Sequence, residues 1–372
     1  MCKSAIWCAG YYKNIFNNRV LLVGLEPPPF GGVSVHVHRV AQALVQDNTI
    51  KILDVIKEYT HRSKIGYGYF LFKALFSFRP QVIYYHVLFL RSGLSEFFLL
   101  ILYARLFRAR LSLVEHSARF LYKRSRVYKF LLNKLMYFVD EQVLIGKPML
   151  LAYQENNIKL RNYIVESSFV PPIVDQDEKL FAQYPQELRN FIAKQHFVML
   201  MNASKFGLWD GNDIYGFDLC IKLMRDLKDC DVSLIIAVGT IHDYEHYEHI
   251  KKQIAGNTRI YLLVGCQQEL WPLIKRVNLF LRPSRYDTFG MSVAEAMWFG
   301  VPAVASDVTE RPAGCVLFKA GDYGDFLTCV RDVYEGRRDM LKGRGLQPFN
   351  VRIKISNHPC NQMFLLLCLM FV

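Results

Sequence analysis

The chain alternates short, continuous apolar runs with longer amphipathic stretches, and it does so twice, with a proline-bearing pause between. Arg19-Val-Leu-Leu-Val-Gly24 precedes a glycine-bearing turn and a helical pattern over 33–45. Comparable runs follow at Ile50–Val55, Gln81–His86, Leu111–His116 and Glu141–Gly146, with helical patterns over 94–107 and 122–138. Runs that stay apolar belong to strands buried on both faces, as in a parallel sheet flanked by helices. Ser167-Ser-Phe-Val-Pro-Pro-Ile-Val-Asp175 breaks the series, because adjacent prolines resist helix and stiffen a connection. Strands are then expected at 197–201, 232–238, 259–264, 278–281, 302–305 and 316–319. Helices are expected near 217–228, 244–254, 268–276, 292–299 and 322–335. The expected fold class is α/β, with two facing, doubly wound, Rossmann-like domains over 1–170 and 171–342. Such sheets bind ligands at the carboxyl ends of their strands, so a cleft between two of them suits a two-substrate transfer.

At 372 residues the chain is long enough for two cores. No apolar run reaches the ~18–20 residues of a spanning helix, which argues against an integral membrane protein. Residues 1–10 show no secretion signal, so a cytoplasmic location is expected. The nine cysteines include no C-x-x-C pair and read as reduced thiols. The formal net charge of +13 favours anionic partners, and no nucleic-acid motif accompanies it. His61–Lys73 and Tyr122–Lys129 set cations beside aromatics. These stretches read either as a face that docks on anionic lipid or as ordinary solvated helix faces. His242, His246 and His249 have helical spacing, but so polar a run is expected to face solvent, and no metal is assigned. Residues 343–372 break the pattern and read either as a terminal membrane-touching anchor or as an atypical, non-native tail, the second being favoured because no periodicity is visible.

The chemistry concentrates between Arg282 and Asp307. A strand ends near Leu281, a loop turns at Gly290, and a helix begins near Ser292. Amides of Phe289, Gly290 and Met291 at that helix start can meet a phosphate. Glu295, placed in the first helical turn, can accept hydrogen bonds from vicinal hydroxyls such as those of ribose. Ser292-Val-Ala-Glu295 also fits a capping box, in which Glu295 would only close its own helix. Asp287 on the loop can hold a second polyol or simply be a solvated turn residue. Gly31 and Gly32, after the first strand, allow close approach of a phosphate or sugar.

Asp287-Thr-Phe-Gly-Met-Ser-Val-Ala-Glu-Ala296 followed by Gly300-Val-Pro-Ala-Val-Ala-Ser-Asp307 resembles the E-x7-E region of family-4 (group 1) retaining glycosyltransferases, with Asp for the first acid. The resemblance implies the GT-B fold. It gives Glu295 the donor's ribose and Asp287 the donor sugar, and supports the ribose reading of Glu295 over capping alone. Leu113-Val-Glu-His-Ser117 resembles the strand whose last histidine points at the sugar, which assigns that role to His116. Ile83-Tyr-Tyr-His86, the Gly31-Gly32 loop and the Phe169–Asp175 linker fit the same family. Lys205 matches one expected diphosphate cation. Tyr215 stands where the second, a lysine, is expected, so Arg282 or Arg285 is the candidate for that charge. The long closing helix of the family is not found after Glu335.

The resemblance implies a metal-independent transfer from a nucleotide-diphosphate sugar to an acceptor such as a saccharide; a lipid-linked saccharide would match the basic face, which suggests surface-polysaccharide assembly. It implies no cofactor beyond the donor. His116 and Asp287 would act at the sugar, with Glu295, Phe289, Gly290, Met291 and Lys205 on the donor and Gly31 and Gly32 on the cleft loop. A nucleotide-sugar epimerase or phosphorylase on the same fold, or an inactive relative that binds sugars or a partner protein, stays open.

Overall fold

The computed structural model describes residues 17–28, 30–60, 62–87, 94–116, 118, 121–209, 211–265, 269–287 and 289–336. The tail beyond 342 lies outside them, as does Ser117. The first unit runs β1 (Arg19–Gly24), α1 (Gly32–Leu44), β2 (Thr49–Asp54), α2 (Val55–Thr60), α3 (Lys64–Phe78), β3 (Val82–Val87), α4 (Leu94–Phe107), β4 (Arg110–Glu115), α5 (Arg126–Met136), β5 (Glu141–Ile145), α6 (Lys147–Glu155) and β6 (Tyr163–Glu166). The second opens with α7 (Asp177–Phe181) and α8 (Gln186–Lys194), then β7 (Phe197–Lys205), a small hairpin of β8 (Leu208–Trp209) and β9 (Asn212–Asp213), and α9 (Phe217–Asp226). It continues with β10 (Val232–Thr240), α10 (Tyr244–Ile254), β11 (Ile260–Val264), α11 (Trp271–Ile274), β12 (Leu279–Arg282), α12 (Met291–Trp298), β13 (Ala303–Ser306), β14 (Val316–Phe318) and α13 (Tyr323–Tyr334).

Two six-stranded sheets result, in the orders β2-β1-β3-β4-β5-β6 and β11-β10-β7-β12-β13-β14. Within both sheets every pairing is parallel. Burial follows the period of a strand covered on both sides. Leu21 and Val23 enter one core, while Val20 and Leu22 enter the core on the opposite face. In the second sheet Met199 and Met201 divide from Val198 and Leu200 in the same way.

Chain direction across each sheet reverses once, between β1 and β3 and between β7 and β12. These switch points leave a crevice above the strand ends, where ligands of doubly wound sheets sit. The connection Ser167–Ile173 runs between the sheets, and the Phe169 ring lies 5.8 Å from that of Trp298. The sequence reading missed β6, the β8–β9 hairpin and helices α2, α3, α6, α7 and α8.

Candidate active site

A cavity of about 380 Å³ opens between the two sheets. Its first-unit wall includes Gly31, Gly32, Arg39 and His116; its second-unit wall includes Asn202, Tyr215, Arg282, Asp287, Phe289–Met291 and Glu295. Gly31 caps α1 in an extended conformation, so neither it nor Gly32 is required by backbone strain. A side chain at Gly32 would meet no atom within 4 Å and one at Gly31 only Ser34 Oγ at 3.9 Å. Glycine there keeps the mouth of the cavity open.

Glu295 lies in the second turn of α12, a correction to its expected place in the first. The helix starts at Met291 with Gly290 as its cap, so Ser292 is not the capping residue. Ser292 Oγ instead donates to Asn202 Oδ1 at 2.9 Å. The capping-box alternative is thereby removed: Glu295 Oε1 accepts from Arg39 Nη2 at 2.5 Å. Arg39 is 2 % exposed and joins both units. It also donates from Nη2 to Glu269 Oε2 at 2.6 Å and from Nη1 to the Val170 carbonyl at 2.9 Å. Burial pushes the Glu295 carboxyl up; Arg39 opposes this, Glu269 adds to it, and the net direction is upward. Desolvation works against the Arg39 cation, but the two carboxylates hold it above its ordinary value.

Asp287 is gripped from two sides. Arg282 donates from Nε to Oδ2 at 2.9 Å and from Nη2 to Oδ1 at 3.2 Å, and Arg311 Nη1 donates to Oδ2 at 2.7 Å. Burial alone would raise this carboxyl, yet Arg282 and Arg311 hold it well below the usual carboxylate range. The turn into α12 needs Gly290, whose φ is +72°. A Cβ there would lie 2.3 Å from Arg311 Nη1 and 3.0 Å from Asp287 Oδ2.

The expected diphosphate cations separate. Lys205 is exposed at the end of β7, one residue beyond the cavity-lining Ser204, and is not itself among the lining residues. Tyr215 lines the cavity, with its hydroxyl 2.5 Å from Ser204 Oγ and its ring 5.3 Å from the Arg282 guanidinium. Arg282 therefore stands at the cavity, while Arg285 turns to Asp218, 2.7 Å away. Asp213 accepts from the amides of Tyr215, Gly216 and Asp218, so it shapes its loop.

His116 is 8 % exposed and borders the cavity. Behind it lie His86, with Nδ1 3.1 Å from His116 Nε2, and His36, with Nδ1 2.7 Å from the Ser168 carbonyl. Desolvation lowers His36 to about 4. Desolvation, with repulsion from the neighbouring rings, holds His86 and His116 well below the ordinary histidine value. Among the described residues, these three bring candidate ligand nitrogens within 4.8 Å of one another. The His242–His249 run does not assemble: His246 is buried and accepts from the Gly207 amide at 3.1 Å, whereas His242 and His249 are exposed.

Sequence reasoning missed Arg39, His36, Glu269 and Arg311. A usable signal existed for the first two. His36 and Arg39 are interleaved with Val35, Val37, Val40 and Ala41 on α1, where a polar residue buried with them must find a partner.

Residues 213–317 match the sequence model of the group 1 glycosyl transferases. A lipopolysaccharide 1,6-galactosyltransferase of Escherichia coli (strain K12) is 26% identical over 110 residues, 27% of this chain and 30% of that protein. The chain is thus matched to under a third of that relative's length. Similar solved structures include Anabaena HepE in complex with UDP-glucose, with a TM-score of 0.58 and 13% identity over 87% of this chain and 92% of that one. The sucrose-phosphate synthase of Thermosynechococcus elongatus gives 0.57 and 13% over 86% and 90%. A third, from E. coli, was solved with UDP-2-fluoro glucose and gives 0.54 and 12% over 85% and 91%. The chain has the GT-B fold, and its second unit carries the region similar to group 1 glycosyltransferases.

Proposed function

We propose that the chain is a retaining glycosyltransferase moving a sugar from a nucleotide-diphosphate donor to a saccharide or lipid-linked saccharide. The observation that carries this reading is the convergence on one interunit cavity of Glu295, the α12 start and Arg282 with a histidine from the opposite sheet. Glu295 Oε2 would accept from the ribose hydroxyls while Arg39 fixes Oε1. The amides of Phe289, Gly290 and Met291, together with Arg282, would receive the departing diphosphate, as electrostatic assistance to a leaving group. Asp287 would hold Arg282 in place and border the sugar, and His116 would contact the sugar from the first unit. Lys205, exposed beside the cavity-lining Ser204, would add a second cation for the diphosphate. Gly31 and Gly32 would leave room for the acceptor. No cofactor is required, and the leaving charge is met without a metal. Support for the donor class comes from neighbours of the same fold solved with UDP or UDP-glucose, and for the acceptor class from the lipopolysaccharide galactosyltransferase relative.

No helix of the described residues is long and apolar enough to cross a membrane. The first unit nevertheless exposes Ile65, Tyr69, Phe72 and Phe76 on α3, Phe107 on α4 and Val127 and Phe130 on α5, beside exposed Lys73, Lys123 and Arg126. This pattern supports peripheral contact with anionic lipid at the cytoplasmic face, where a lipid-linked acceptor of surface-polysaccharide assembly would be met. The test is sugar transfer from a panel of nucleotide sugars to lipid-linked oligosaccharide. Glu295→Ala is expected to lose most activity while remaining folded, since Arg39 keeps Glu269. Full activity in that variant would refute the ribose role.

A further inference from the structure

We propose that His36, His86 and His116 together bind a divalent transition-metal ion of the zinc type on the first-unit side of the cavity. The three arrive from α1, the end of β3 and the residue after β4, and the sheet order β1-β3-β4 makes these neighbours. His36 and His86 are fully buried, and their ring centroids lie 4.8–5.6 Å from each other and from His116. Imidazole ligates in its neutral form, and all three rings are buried.

Bonds of 2.0–2.1 Å to a tetrahedral ion set neighbouring nitrogens about 3.3 Å apart. His86 Nδ1 and His116 Nε2, 3.1 Å apart, already have that spacing. The widest separation in the trio, within 4.8 Å, exceeds it by about 1.5 Å, which side-chain rotation closes. His36 gives its Nδ1 proton to the Ser168 carbonyl, the outer contact that orients a ligating histidine and leaves the lone pair on Nε2. An all-imidazole set selects zinc, copper or nickel over magnesium or calcium. Because His116 borders the cavity, the ion would enter there and keep its fourth position open to water. A bound ion would then hold His116 away from a sugar; this consequence, unlike the site itself, rests on the role proposed for His116.

The test uses the full chain after dialysis against a chelator. Titration with Co²⁺ is expected to give the visible bands of tetrahedral coordination, displaced by Zn²⁺ but not by Mg²⁺, and Zn²⁺ is expected to raise the melting temperature. His86→Gln and His36→Gln should each weaken binding at least about tenfold, while His249→Gln should not. If His86→Gln does not fold by circular dichroism, His36→Gln carries the comparison. Folded wild-type protein with neither cobalt bands nor a zinc-dependent shift overturns the site, as do bands that survive both substitutions. A site that fills with zinc yet leaves nucleotide-sugar turnover unchanged supports the metal site and refutes the role of His116.

Discussion

Arg39→Met removes the cation that, among the described residues, pairs with both Glu269 and Glu295. Methionine preserves most of the buried stem, so the loss is chiefly electrostatic. Arg39 is 2 % exposed, and its partners' side chains are 13 % and 6 % exposed. Deleting one member of a buried ion pair costs about 3–5 kcal/mol, because the other charge is stranded. Glu269 reaches water, so the lower end, about 3 kcal/mol, is expected here. That corresponds to a fall in melting temperature of about 6–12 °C, at 2–4 °C per kcal/mol for large domains. The pH dependence supplies a signature. The folded state already raises the Glu295 carboxyl above its ordinary value, so the folded chain binds that proton more readily than the unfolded chain. This contribution to stability therefore falls as pH rises through the window above the ordinary carboxylate value. Without Arg39 the carboxyl moves higher still, and the deficit should be larger at about pH 8 than at about pH 5. Thermal unfolding across that range measures both effects. In a double-mutant cycle, adding Glu295→Gln should recover part of the loss. A melting temperature unchanged at the alkaline end, or strictly additive losses, would refute the reasoning.

Three further outcomes are expected. His36, lowered to about 4, is neutral in the fold but charged in the unfolded chain below about pH 6.5, so acidification between those values should remove up to about 3 kcal/mol, which denaturant titration at stepped pH would detect. His86 and His116 act in the same direction and Glu295 in the opposite one. Asp287→Asn leaves Arg282 and Arg311 buried side by side and should cost about 3–5 kcal/mol, read as a shift in urea midpoint. Gly290→Ala forces a side chain into a left-handed residue against Arg311, so nucleotide binding measured by calorimetry should weaken together with a stability loss of about 1–3 kcal/mol.

What could be read from the sequence is what short-range physics determines. β1 was legible because Val20–Val23 are apolar without interruption, and both sheets repeat that signal. α3 was not, because Gly66 and Gly68 lower helix propensity and its aromatics and lysine show no clean apolar stripe. β6 is four residues long and ends on Glu166, which hides it from a search for apolar runs. At the site, Glu295 and Asp287 were found, but their partners were not. Arg39 meets Glu295 across 256 positions of sequence, a contact that only the facing of the two units creates. The capping-box reading failed for a local reason: the helix begins two residues earlier than the Ser-x-x-Glu pattern suggests, with Gly290 and not Ser292 as its cap.

The central claim is that the interunit cavity holds a nucleotide-diphosphate sugar through Glu295. Thermal unfolding against a panel of nucleotides and nucleotide sugars tests it directly. A ligand that binds only the folded chain stabilises it by ~2.7 kcal/mol at a hundredfold excess over its dissociation constant. A rise in melting temperature is expected for one nucleotide class, abolished by Glu295→Ala. No rise with any nucleotide in a cooperatively melting protein, or a rise that survives Glu295→Ala unchanged, would contradict it.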